Sequence, residues 1–164
     1  MLRSFGKVFL TTTIILFFAA IPAYAATCFN AAEAEAEQGI RIHSELMVIG
    51  LNCQHMQFED NSNLYLKYRS FTNKHSSLFS GYEDKLMAYY KRTGDGNPEA
   101  RLNTLRTAFA NKISLDAAEM KPHNFCNRYA KRIFEVDKMN RSEIRRWAST
   151  VHKDHPLSHP VCEQ

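Results

Sequence analysis

The chain has 164 residues, 45% hydrophobic and 23% charged, with four cysteines, seven histidines and a formal net charge of +4. That length supports one ordinary domain with a core of its own and leaves little room for a second. Internal repeats and low-complexity segments are absent, and so are the strictly alternating β-branched runs that mark strands.

Arg3 and Lys7 precede a largely apolar run, 8–21, and Ala23-Tyr24-Ala25 supplies small residues where a signal peptidase reads them. The run is 14 residues long, whereas a membrane span needs about 20, so it reads as a cleavable signal peptide, 1–25, and not as an anchor. Cleavage after Ala25 leaves a domain of 139 residues, 26–164, with no stable membrane span. Of the 21 Lys and Arg, Arg3 and Lys7 depart with the leader, and the remaining 19 nearly balance 17 Asp and Glu. The expected location is periplasmic or secreted, which sets nucleic acid aside as a partner.

Asn30 with Glu33 three residues on predicts a capping box, and Glu33, Glu35 and Glu37 place negative charge where the helix dipole favours it. The seam proper follows: Ile42, Leu46, Ile49, Cys53 and Met56 recur at steps of four and three, so this helix runs to about residue 56 with Cys53 facing inward. A second helix spans about 63–92 on the stripe Leu64, Tyr68, Phe71, His75, Leu78, Tyr82, Leu86 and Tyr89, with a kink expected near Ser80-Gly81. The run Gly94-Asp95-Gly96-Asn97-Pro98 predicts a turn and a third helix opening at Pro98 and carried by Leu102, Leu105, Phe109 and Ile113 to about 120. Pro122 opens a fourth, with Phe125, Cys126, Tyr129, Ile133 and Val136 on its buried stripe. Ser142 is the expected cap of a short last helix bearing Ile144, Trp147 and Val151, and a Pro- and His-containing tail, 153–164, closes the chain. The fold expected is an all-α, up-down bundle of four to five helices.

Cys28, Cys53, Cys126 and Cys162 all survive cleavage, and an even count in an exported chain predicts two disulfides. At about 1.5 Å per residue, one continuous helix would hold Cys28 and Cys53 more than 30 Å apart, far beyond disulfide reach. In an up-down bundle Cys53, ending the first helix, meets Cys126, opening the fourth. This favours Cys53–Cys126 and, by elimination, Cys28–Cys162.

No nucleophile motif is present, no Cys-x-x-Cys-His for haem, and Gly94-Asp95-Gly96 lacks the Lys-Ser/Thr of a phosphate-binding loop. His152, His155 and His159 in the tail form a candidate zinc or copper site, although Pro156 and Pro160 prevent a regular helical spacing; the bland alternative is a solvated tail. His75 on a buried stripe is expected to be a satisfied core histidine. Paired with a carboxylate such as Glu45, His75 or His43 would instead be a general base.

Charge carries more information. Residues 26–60 hold six acids against Arg41 alone, while 121–153 hold nine basic residues against Glu135, Asp137 and Glu143. One expectation is internal complementarity, the acidic first helix packing beside the basic fourth. The other is an exposed face of Arg128, Lys131, Arg132, Lys138, Arg141, Arg145, Arg146 and Trp147 for an anionic protein or envelope polymer. In general plan alone, these features resemble small disulfide-clasped helical proteins that bacteria export, among them inhibitors, immunity proteins and stress chaperones. The missing catalytic constellations, the stapled scaffold and the polarised charge point to a non-enzymatic binding role. A metal-binding protein using the tail histidines is the alternative, and a small envelope hydrolase a second.

Overall fold

A computed structural model describes residues 27–58 and 61–163. The expected signal peptide, 1–25, and its expected cleavage site lie outside the described residues, as do Glu59 and Asp60. Six helices follow in order: α1 (Ala31–Cys53), α2 (Leu64–Lys74), α3 (Ser76–Arg92), α4 (Pro98–Glu119), α5 (Pro122–Asp137) and α6 (Arg141–Ala148). No described helix is long and apolar enough to cross a membrane.

Every other helix packs on α1, which makes it the hub. Its start is fixed by the capping box: Glu33 N–H donates to Asn30 Oδ1 at 2.9 Å, and Asn30 N–H to the Glu33 carboxylate at 2.8 Å. Ile42, Leu46, Ile49 and Cys53 are buried as the seam requires. The helix ends at Cys53, three residues earlier than the periodicity suggests. There the disulfide fixes the last turn, Met56 N–H bonds back to the Cys53 carbonyl at 3.1 Å, and Asn63 Nδ2 donates to the Gln54 carbonyl at 3.0 Å.

The predicted second helix is two helices, broken at His75 and not at Gly81. α2 packs against α5 and α3 against α4, so the chain changes direction between them. Leu78 and Phe79 N–H both bond to the His75 carbonyl and restart the helix. The return past α1 is antiparallel: Arg92, at the end of α3, binds the Glu33 carboxylate at 2.8 and 3.0 Å, and Tyr89 Oη donates to the Thr27 carbonyl at 2.6 Å. Asn97 caps α4, with Pro98 in its first turn, as the turn motif predicts. The cap of α6 is Asn140 and not Ser142, since Asn140 Oδ1 takes the Ser142 and Glu143 N–H groups while Glu143 reaches back to the Asn140 N–H.

Both expected disulfides form, with Cα–Cα distances of 5.6 Å for Cys53–Cys126 and 5.1 Å for Cys28–Cys162. Beside the second, Phe29 and residues 160–162 exchange backbone bonds: Phe29 N–H to the Pro160 carbonyl and Cys162 N–H to the Phe29 carbonyl, each 2.8 Å. The chain ends are thereby clasped.

Two glycines inside helices have opposite roles. Gly39 is buried on α1 where a Cβ would run into the Tyr82 ring, so its missing side chain is what lets α3 approach; Gly81 on α3 has open space where a Cβ would sit. Gly39→Ala should therefore destabilise by about 1–3 kcal/mol through overpacking, whereas Gly81→Ala should stabilise by about 0.5–1 kcal/mol through helix propensity. Urea unfolding of the two variants should give midpoints displaced in opposite directions.

Candidate functional site

α1 buries an unusual polar row. Glu33, Glu37, Arg41 and Glu45 recur every four residues, with Gln38 and Ser44 beside them, and all six are buried. A buried charge is tolerated only when paired and hydrogen-bonded, and most of this row meets that condition through residues distant in sequence. Arg41, 4% exposed, donates from Nε to Gln38 Oε1 at 2.6 Å and from Nη1 to Glu45 Oε1 at 3.0 Å. Arg132 on α5 reaches the other Glu45 oxygen at 3.1 Å. The sequence signal was present in the four-residue spacing, but acids near a helix start read equally well as dipole partners in solvent.

The residues after α6 form a strap across this row. Gln38 Nε2 donates to the His155 carbonyl at 3.0 Å, and Lys112 on α4 to the Asp154 carbonyl at 2.5 Å. Glu37 accepts from Ser158 N–H at 2.7 Å and also from the Ser158 hydroxyl. Burial pushes the Glu37 carboxyl above its ordinary range, against the Ser158 bonds that lower it. The tail is thus a strap tethered to α1 and α4, with most of its residues still exposed to solvent.

Between α5, α6 and the strap lies a cleft of about 480 Å³, with Arg41 and Glu45 among its lining and Lys131, Arg132, Glu135, Trp147, His152, Asp154 and His155 around them. The histidine that faces Glu45 is His155, its Nδ1 3.6 Å from Oε1. Desolvation first and Arg41 second hold its imidazole below the usual histidine range, against the pull of Glu45. A depression of about 510 Å³ on the strap's outer face is shallow and lined by strap residues together with Val151 and His152.

The candidate basic residues divide among several local sites, although Arg128, Lys131, Lys138, Arg141, Arg145 and Arg146 are all exposed. Lys131, Arg132 and Trp147 enter the cleft, and Arg128 lies over the Tyr129 ring at 5.5 Å. Arg141 donates to Ser77 Oγ at 3.0 Å. Arg145 grips both Glu35 oxygens at 2.7 and 3.0 Å, and Lys138 and Arg146 are exposed. Arg132–Glu45 and Arg145–Glu35 are the internal complementarity that the charge asymmetry suggested, fixing α5 and α6 against α1.

The tail histidines are not gathered into one set. His152 and His155 are bridged through their backbone, whereas His159 packs edge-on against both the Phe29 and Tyr89 rings, at 5.1 and 5.2 Å. Among the described residues no group of three or more His, Cys, Asp or Glu is placed to hold a metal ion. Neither does His75 meet Glu45. It sits at the α2–α3 break against Phe71, its Nε2 without a hydrogen-bond partner, so the expectation of a fully satisfied core histidine fails at that atom. His43 packs on Phe79 and lies 3.2 Å from Tyr68 Oη.

Ser158, His159 and Glu37 have the composition of a catalytic triad but the wrong order. Ser158 Oγ stands between the other two, 2.8 Å from His159 Nδ1, and the carboxylate holds the serine directly instead of orienting the imidazole. All four cysteines are in disulfides. No protein family, curated protein or solved structure matches the chain.

Removing Glu45 strands Arg41 in the interior, so Glu45→Ala should cost about 3–5 kcal/mol, read as a lowered urea midpoint with the disulfides intact. His43 gives a pH signature: desolvation, then Arg106, lowers its folded pKa from 6.5 to about 4. The unfolded chain thus takes up this proton first, and stability is lost as pH falls from 6.5 towards 4, by about 3 kcal/mol at the lower end. In urea titrations across that range, His43→Gln should reduce the slope of unfolding free energy by about one proton.

Proposed function

We propose that the protein is an exported, periplasmic or secreted, non-enzymatic binding protein of inhibitor, immunity or chaperone-like type. In this reading the cleft between α5, α6 and the strap holds an acidic stretch of a partner protein or envelope polymer. One observation carries it: Lys131, Arg132, Trp147, His152 and His155, from three separate elements, line one cleft over a floor whose own charges are already paired. Arg41, Arg132 and Glu45 pair with one another and need no ligand to neutralise them, so among the other lining charges, the acids Glu135 and Asp154 included, Lys131 is the group that attracts an anion. Trp147 offers an aromatic wall of the kind that anchors interfaces. Export is supported by the two disulfides, which persist in oxidising compartments.

Trp147 is the only tryptophan in the chain, so its fluorescence reports on the cleft directly. Titration with poly-glutamate and with polygalacturonate should shift or quench its emission, with binding weakened at least about tenfold in Lys131→Glu and by salt in the wild type. Unchanged emission up to millimolar repeat units of both polymers would sink the proposal.

A further inference from the structure

A second recess, separate from the cleft, lies between α3, α6 and the first turn of α1. It encloses about 220 Å³, and its wall carries three cations, Lys85, Arg141 and Arg145, against one acid, Glu35. We propose that this recess binds a phosphate monoester group.

Glu35 is fully occupied: Oε1 accepts from Tyr82 Oη at 2.8 Å and from Arg145 Nε at 2.7 Å, and Oε2 from Arg145 Nη2 at 3.0 Å. Arg145 and Glu35 cancel in charge, leaving Lys85 and Arg141 facing the recess without a second lining acid. Two uncompensated cations suit a dianion better than a single carboxylate. Arg145 is positioned by Glu35 through Nε and Nη2, which leaves its Nη1 to an oxyanion, and Arg141 is tethered by one bond to Ser77 Oγ at 3.0 Å. Ala32 brings the first turn of α1 into the wall. Gly81 lines the same recess, and a Cβ built there meets nothing within 4 Å, so the space is open on the α3 side. The volume admits a phosphate and the first atoms of its ester but not a folded polymer segment. With the Arg145 side chain 58% exposed, both a soluble phosphate ester and a lipid phosphate headgroup have access.

The test uses the purified, disulfide-intact protein. Glycerol 3-phosphate and inorganic phosphate are titrated calorimetrically, and phosphatidylcholine vesicles with and without phosphatidic acid are used in co-sedimentation. Binding to the soluble esters, or retention only on vesicles containing phosphatidic acid, supports the site and identifies its source as soluble or lipid. Gly81→Glu fills the recess with a carboxylate while leaving every cation in place, and it should weaken binding at least tenfold with an unfolding midpoint no lower than that of wild type. Lys85→Gln combined with Arg141→Gln should do the same, whereas Lys131→Glu should bind as wild type does. Absence of binding to every probe at millimolar phosphate overturns the proposal. So does Gly81→Glu binding equal to wild type, or a loss confined to Lys131→Glu, which would place the anion in the other cleft.

Discussion

The pairing of Arg41 with Glu45 inside α1 is the constraint from which the rest follows. A guanidinium and a carboxylate on the most buried helix of a bundle cost several kcal/mol each to desolvate, and a single contact between them leaves donors and acceptors over. Arg132 and Gln38 take up that remainder, and Gln38 in turn fastens the strap through the His155 carbonyl. The helix that organises the fold is therefore also the one that decides where α5 and the C-terminal residues must lie.

The hub has two kinds of face. Towards α2 and the Cys53–Cys126 staple it offers Ile42, Leu46 and Ile49, where burial is non-directional and contributes by area. Towards the strap it offers Glu37, Gln38, Arg41 and Glu45, where each group accepts only partners in the right geometry. The apolar face makes the bundle compact, and the polar face sets the register of what crosses it. Arg145 repeats the device on α6, clamping Glu35 and bringing Arg141 and Lys85 to the same recess.

The apolar face was legible in the sequence and the polar face was not. Steps of three and four among Leu64, Tyr68, Phe71, Leu78, Tyr82 and Leu86 report burial whatever the partner, and the bundle topology then sufficed to pair the cysteines. Periodicity is blind to direction, however, so a stripe continuous through His75 hid the bend there, and Gly81 drew attention as a breaker although its helix runs straight through it. Ser142 reads as a cap because its hydroxyl is a good acceptor, but a one-dimensional reading cannot see that the backbone turns into the helix already at Asn140. The basic residues of α5 and α6 read as one face because sequence distance does not reveal that Arg145, though exposed, is tied to Glu35 while Lys131 lines the cleft beside the strap. The tail histidines were conspicuous by spacing alone, but Phe29 and Tyr89 capture His159 and separate it from His152 and His155.

The clasp at the chain ends has a consequence for when the cleft exists. Cys28 and Cys162 are separated by 134 positions, so their bond closes almost the whole described chain into a ring, with the strap as the last arc of it. One wall of the cleft, His152 and His155, belongs to that arc, and the opposite wall to α5. Where thiols are kept reduced, the ring is open and the strap is held by non-covalent contacts alone: polar bonds to Glu37, Gln38 and Lys112, backbone bonds to Phe29, and the packing of Leu157 and His159. Oxidation makes assembly of the two walls effectively intramolecular over a short tether, raising the local concentration of one at the other. The compartment's redox state thus acts on the geometry of the cleft as well as on the stability of the bundle.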